Sequence, residues 1–444
     1  MKNNKLKQKY RTNKISQLLV IIFFSFSLCS FGLRQRYGFF TMAIFTLIMG
    51  MISCSCVIAT SFLRNYWYAL IISITVLYLR PSSRHEMDTI IYFSYVYIIT
   101  LTIIFSKTGK DEVDKILKYI KYFSLFISLY ITFFRIFPEL YFSIVLPLLS
   151  PRTADMVLTN SKIGYGAAIG QSYTFADYIM MLGVSLFIGS DLQIQGRKNI
   201  FKLLILILCI GILLQGRKGE LLATLLTIIF IYIFVFNSKI IKNPRKKLEF
   251  LGIIVGFLII FIPILYKNGL LYRFIIMFER ISSNTSEQII DFSSGRFNLW
   301  KIAIKLFFKH PIYGIGWGRF ANYATGIFSE VTSSQTIKDV HNCFLQFLCE
   351  NGIIGTFLIL IPLFKIYKIT YSQTLRLRNM IEKSDNLLKL NIFSLCIQTY
   401  FLILFFLDPV FYNPFYWCSI AIAVLVENFA LKEEHEKYYI ISKK

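Results

Sequence analysis

The sequence predicts an all-α polytopic membrane protein with about twelve transmembrane helices, and three observations carry this. Hydrophobic residues make up 56% of the 444 positions and aromatic residues 17%. The apolar residues come in blocks such as QLLVIIFFSFSLCSFGL and FKLLILILCIGILL, near the roughly 18 to 20 uncharged residues needed to cross a bilayer core. Charge is sparse, at 16%, yet unbalanced, with 48 Lys+Arg against 24 Asp+Glu. A soluble domain has about a quarter of its residues charged. Soluble enzymes, disordered tails and nucleic-acid binders are excluded, because the basic excess reads first as a topology signal.

Taken in order, the spans fall at roughly 15–33, 37–62, 65–79, 89–106, 119–137, 172–190, 200–214, 219–236, 248–266, 345–366, 390–407 and 414–431. The third and seventh are short, and the second is long enough to tilt or break. An even count puts both termini on one side. With that side cytoplasmic, roughly 28 Lys and Arg lie inside against roughly 8 outside once the longest outer loop is set aside. MKNNKLKQKYRTNK, NSKIIKNPRKK and KIYKITYSQTLRLRNMIEKSDNLLK are the inner anchors. No small-residue cleavage site follows the first span, so it reads as a retained anchor. Residues 1–444 form a single integral membrane domain with two substantial outer loops, at about 138–171 and about 267–340.

Several chemistries are absent. The chain has no internal repeat, heptad pattern or phosphate-cradling GxxxxGK[ST], and no paired-glycine dinucleotide signature, so nucleotide hydrolysis does not drive it. Of its 8 cysteines, Cys54 and Cys56 lack zinc or redox spacing, and most of the others lie inside spans as buried, inert thiols.

The longest outer loop contains SSGRFNLWKIAIKLFFKHPIYGIGWGRF. Ser293 or Ser294 can cap a helix here, and Pro311 with Gly314 and Gly316 ends it. Asn298, Lys301, Lys305 and Lys309 form one stripe, with Phe297, Trp300, Ile304 and Phe307 opposite, the pattern of a helix lying in the membrane interface. Arg296 falls on the apolar side, where a guanidinium needs an anionic partner or hydrogen bonds unless it snorkels to headgroups.

Arg217 and Lys218, in LLQGRKGELLATLL, sit at the outer end of spans seven and eight, against the positive-inside trend. Gly216 and Gly219 permit a tight turn and close approach of a phosphate to the N-terminus of the next helix. The alternative is a simple turn touching lipid headgroups. His341, between Asp339 and Asn342, opens the tenth span and can accept a proton near neutral pH. Glu350 lies further in, and acids at membrane depth are functional candidates. The acids of the long loop, Glu279, Glu287, Asp291, Glu330 and Asp339, show no metal-cage spacing. Arginines with a base and no metal ligands suit a diphosphate leaving group and a hydroxyl acceptor.

GRFNLWKIAIKLFFKHPIYGIGWGRF followed by HNCFLQFLCENGIIG resembles the shared signature of the O-antigen ligase and O-antigen/capsule polysaccharide polymerase superfamily. QGRKGELLA and the Gly-rich IGYGAAIGQSYTFADY resemble two further family stretches. The resemblance covers about residues 160–360. It implies a C-type glycosyltransferase-like fold in the bacterial cytoplasmic (inner) membrane, with the active site on the extracytoplasmic face. It implies an undecaprenyl-pyrophosphate-linked oligosaccharide as donor, with no metal and no cofactor. A flippase and a chain-length regulator would be pathway partners, and no nucleic acid is involved.

By the same resemblance, Arg217 and Arg296 bind the pyrophosphate, and His341 activates the acceptor hydroxyl or orients the pyrophosphate. Asn342, Glu350, Trp300, Gly314, Gly316 and Gly352 match positions with structural or supporting roles. Lys218 and Arg319 are phosphate-contact candidates on charge alone. Val340 precedes His341, whereas some ligases carry a further His two positions before theirs, and this leans towards a repeat-unit polymerase for cell-envelope polysaccharide. The alternatives are a ligase acting on lipid A core or protein, and a non-enzymatic flippase of lipid-linked oligosaccharide. A transporter would show repeats and mid-membrane ionisable residues.

Overall fold

The computed structural model describes residues 64–80, 83, 110–149, 151–162, 173–191, 198–235, 296–328, 339–379, 385–413, 416–417, 419–427 and 429–430. The expected spans at 15–33, 37–62, 89–106 and 248–266 lie outside these residues, as do Cys54, Cys56, Ser293, Ser294, Glu279, Glu287, Asp291 and Glu330. Among the described residues all regular structure is helical. Three helices there are long and apolar enough to cross a membrane: Val113–Ile136, Cys343–Arg378 and Asn386–Leu404. Among the described residues the protein is all-helical, with helices of the length and composition that cross a membrane.

Helix α1 spans Arg64–Tyr78, α2 Lys110–Ile136, α3 Pro151–Lys162, α4 Tyr173–Asp191, α5 Lys198–Gln215 and α6 Lys218–Phe230. A π turn, Ile231–Val235, continues α6. Beyond these come α7 Arg296–Lys309, α8 Phe320–Phe328, α9 Cys343–Asn379 and α10 Asp385–Leu404.

Helices α2, α4 and α5 pack on one another. Helix α10 lies against α4, α6 and α9, and α9 also packs on α1 and α7. Small residues let the first group close tightly. A Cβ on Gly183 would stand 2.2 Å from Ser124 Oγ and one on Gly211 2.5 Å from Ser128 Oγ, and Ser128 donates across to the Ile207 carbonyl at 2.8 Å. Such contacts hold membrane helices together, because apolar side chains gain nothing by leaving lipid for one another. Phe126, Leu129 and Phe133 on α2 and Phe357, Ile361 and Phe364 on α9 remain exposed, as suits faces turned to lipid.

A buried polar knot fixes the register of α9 and α10. Thr370 donates to the Glu427 carboxyl group at 2.8 Å, Ser394 does so at 2.8 Å, and Gln398 reaches it at 3.3 Å. Misregistry would leave these groups unpaired in a low-dielectric interior, which opposes sliding.

Four elements differ from expectation. Helix α2 starts at Lys110, and α9 runs to Asn379, through much of the expected basic inner loop. Apolar length marks only the membrane crossing, whereas the backbone ladder continues as long as the residues favour helix. The segment expected as an outer loop at 138–171 is largely helical where described, from Pro138 through the short turns to Leu148 and again in α3. In α7 the buried stripe is Leu299, Ile302, Ala303 and Leu306, whereas Phe297 and Ile304, expected on the buried face, are exposed. The helix is rotated because it packs on α9 rather than being buried by a flat interface alone.

Helix α9 breaks at Gly352 (φ 64°, ψ −170°). The turn after α7 is seated in this break: Ile315 N donates to Cys349 O at 2.9 Å, Gly316 N to Glu350 O at 2.8 Å and Ile353 N to Pro311 O at 2.8 Å. A Cβ on Gly314 (φ 69°) would stand 2.4 Å from the Glu350 carbonyl carbon, and one on Gly352 2.3 Å from Ile312 O. Both glycines therefore supply a left-handed backbone and the absence of a side chain. From the other side, Arg80 donates to the carbonyls of Tyr313 and Gly314, and Trp317 N donates to Ser83 Oγ at 3.3 Å. This lock fixes where α7 starts, and so where Arg296 stands.

Candidate functional site

Arg217 owes its position to the two-residue junction between α5 and α6. Gly216 adopts φ 79°, and Arg217 (φ −90°, ψ 104°) is the N-cap of α6, its carbonyl accepting from Leu221 N at 3.2 Å. Gly219, expected to matter for close approach, has only an ordinary 3.7 Å neighbour, Leu407 Cβ. The Arg217 guanidinium pairs with Glu220 Oε1 at 2.5 Å and Asp408 Oδ2 at 2.9 Å, and its Nη1 donates to Thr174 Oγ1.

His341 stands just before α9. Among the described residues it is the non-glycine residue with positive φ, 56°, and such a conformation persists only where its surroundings enforce it. They do so here. Asn342 Oδ1 caps α9 by accepting from Leu345 N at 3.0 Å, and its Nδ2 donates to Phe406 O at 3.2 Å. Cys343 N donates to Phe405 O at 2.8 Å. The start of α9 is thereby clamped to the end of α10, and His341 Nδ1 lies 3.2 Å from Asp408 Oδ1 with the ring still 41% exposed.

Arg296 opens α7 in register with Leu299, Ala303 and Leu306, and its Nη1 donates to the Leu407 carbonyl at 2.6 Å. Arg217, Arg296 and His341, far apart in sequence, thus meet at the Leu407–Asp408 turn. Asp408 is the hub. Burial alone would raise its carboxyl, but the His341 hydrogen bond and the charges of Arg217 and Arg296 hold it below the usual carboxylate range. An acid kept ionised against an imidazole fixes the ring's orientation. The arrangement is able to grip an anion and accept a proton beside it.

The remaining candidates sit around this centre. Glu350 is fully buried and accepts from Phe320 N at 3.2 Å and Gln346 Nε2 at 3.4 Å, so it braces the turn into α8. Trp300 stacks edge-on with Phe297 at 5.3 Å. Lys218 is the first residue of α6, and Arg319 lies half-buried before α8. Among the described residues no three His, Cys, Asp or Glu side chains are grouped to hold a metal. Cys209, Cys343, Cys349 and Cys396 are free thiols.

Sequence reasoning missed Asp408, Thr174 and the carboxylates Glu220 and Asp177. Asp408 had a signal: it is an acid just before Pro409, at the end of an apolar block, in a connection with no basic residue. Thr174 and Asp177 lie in the described end of the quoted IGYGAAIGQSYTFADY stretch, of which 163–172 is outside the described residues.

A family model described as O-antigen ligase matches residues 203–360, which hold Arg217, Arg296 and His341 but not Asp408. A ComP-specific O-oligosaccharyltransferase of Acinetobacter baylyi is 26% identical over 210 residues, 45% of this chain and 35% of that protein. The match therefore covers about a third of the curated relative's length.

Proposed function

We propose, from the match of residues 203–360 to a family model described as O-antigen ligase, that this chain is a ligase-type oligosaccharyltransferase of the bacterial inner membrane. It moves a glycan from an undecaprenyl-pyrophosphate carrier onto the hydroxyl of a separate acceptor. The observation that carries the proposal is the convergence of Arg217, Arg296 and His341 on Leu407–Asp408. The guanidinium groups meet the diphosphate and neutralise the charge that develops on it as it leaves. The acceptor hydroxyl gives its proton to the His341 ring nitrogen not facing Asp408, and its oxygen bonds to the anomeric carbon. The bond from that carbon to the diphosphate oxygen breaks, and the electron pair leaves with the carrier. Charge neutralisation by arginine is the role a metal fills elsewhere, so transfer is expected to survive EDTA. The Lys/Arg bias supports cytoplasmic termini and an extracytoplasmic site.

The comparisons favour transfer to a separate acceptor over repeat-unit polymerisation, the first reading of the sequence, and an enzyme over a flippase. Val340 beside His341 keeps polymerase as a second reading. Deleting the protein from its own cells separates the readings. A ligase leaves full-length glycan on the lipid carrier and none on the acceptor. A polymerase leaves single repeat units. Unchanged surface glycan would refute both.

A further inference from the structure

Helix α7 presents three sides. Leu299, Ile302, Ala303 and Leu306 are buried where the helix packs on α9. With about 100° between successive residues, Phe297, Ile304 and Phe308 fall on the opposite side, and all three are exposed, Phe308 by 73%. This apolar strip continues past the helix end in the exposed Ile312 and Tyr313. Lys301, Lys305 and Lys309 follow one another along a single flank of the strip and are also exposed. The helix carries no acidic residue, and among the described residues no ion pair or hydrogen bond engages any of the three lysines.

What covers such a face follows from how its two chemistries are arranged. The chain has helices long and apolar enough to cross a membrane, so apolar side chains left on its outside meet lipid. A strip of Phe and Ile with cations confined to one flank matches the boundary between acyl chains and headgroups: the rings enter the acyl layer and the amines reach up to the phosphates. A protein partner would instead call for an apolar centre with a polar rim around it, whereas here the lysines stand to one side only. On the other flank of the strip lies Trp300, a residue type favoured at the membrane interface. Three unpaired amines with no acid among them give the face a preference for anionic headgroups, each cation near an anionic surface being worth about a fivefold gain in affinity.

We propose that the outward face of α7 is a binding site for anionic phospholipid, phosphatidylglycerol in class. Its phosphate lies on the lysines and its acyl chains lie against Phe297, Ile304 and Phe308. The contact seats at headgroup level the helix that begins with Arg296, whose guanidinium reaches the Leu407 carbonyl at 2.6 Å. A diphosphate joined to a membrane lipid lies at that same level. The inference goes beyond the transferase reading and does not require it, and its test measures no transfer.

Trp300 supplies the reporter. Of the 4 tryptophans in the chain, Trp67, Trp317 and Trp417 are buried, while Trp300 is half-buried on α7. The full chain is placed in phosphatidylcholine vesicles holding a minor fraction of dibrominated phosphatidylglycerol or, in a second set, the same fraction of dibrominated phosphatidylcholine. The fluorescence difference between wild type and Trp300→Phe isolates the α7 signal. Quenching of that signal should need about fivefold less of the anionic brominated lipid than of the zwitterionic one, and the preference should shrink at high salt. Lys301→Gln, Lys305→Gln and Lys309→Gln combined should abolish the preference and leave quenching by phosphatidylcholine as it was. Should the triple variant fail to insert, the salt dependence of the wild type decides the matter. Equal quenching by the two lipids, or a preference that persists in the triple variant or at high salt, overturns the anionic site. Absence of quenching by either lipid overturns it as well, and assigns the face to a protein partner.

Discussion

Arg217 and Arg296 reach neighbouring groups of one turn by different routes and end in different electrical states. Arg217 comes from the junction between α5 and α6, and its guanidinium is filled by Glu220, Asp408 and Thr174. Arg296 comes from the first turn of α7 and holds a neutral partner, the Leu407 carbonyl. A guanidinium held by carboxylates organises the site as well as facing the anion, whereas one resting on a carbonyl has its whole charge uncompensated for an arriving anion. Residues that look equivalent in sequence are thus separated by what they touch.

The sharpest way to break this contrast is Arg217→Ala. It leaves buried acids without their cation, and losing one partner of such a pair costs about 3–5 kcal/mol. Transfer should vanish and the thermal midpoint in detergent should fall markedly. Arg296→Ala should lower transfer by about 10²–10³-fold, as loss of one charge-stabilising donor does, with the midpoint unchanged. Arg296→Lys should recover little, because a point charge does not reproduce the bidentate fork. If both alanine variants destabilise equally, the added structural role of Arg217 that separates it from Arg296 is wrong.

Asp408 extends the contrast to pH. Its carboxyl is held below the ordinary value, so its ionised form contributes stability that is complete above the unfolded carboxylate value, about 3.9, and is lost as pH falls through the lowered value. The thermal midpoint of the wild type should therefore drop below about pH 4. Asp408→Asn should flatten that limb and, by releasing His341, also lower transfer at neutral pH. A wild-type acid limb that survives in Asp408→Asn would assign it to another carboxylate.

Much of this was legible from composition and local pattern. Apolar blocks fix where helices cross a bilayer, and charges that break the positive-inside trend or fall on a helix's apolar side mark Arg217 and Arg296. The glycines of the PIYGIGWG turn were readable as a helix stop, but not as a partner for the Gly352 break, because that fit joins segments about forty residues apart. The role of Asp408 was hidden for a related reason, although its place at the end of an apolar block marked it. It acts only when the end of α10 meets the starts of α6, α7 and α9, and nothing in its own neighbourhood requires an acid. The rotation of α7 was likewise decided by the groove it packs in rather than by its own periodicity.

The smallest expected effect tests how His341 is aimed. Its left-handed backbone (φ 56°) lies beside Asn342, which both caps α9 and ties it to Phe406 O. Asn342→Ala removes an N-cap worth about 1 kcal/mol. If that free energy is what holds His341 in place, transfer falls about fivefold, in kcat and not in the donor's KM, since neither arginine moves. Asn342→Asp keeps the capping oxygen and loses only the donor to Phe406. A wild-type kcat in Asn342→Asp would assign the aiming of His341 to the cap, whereas a loss equal to that of Asn342→Ala would assign it to the tie between α9 and the end of α10.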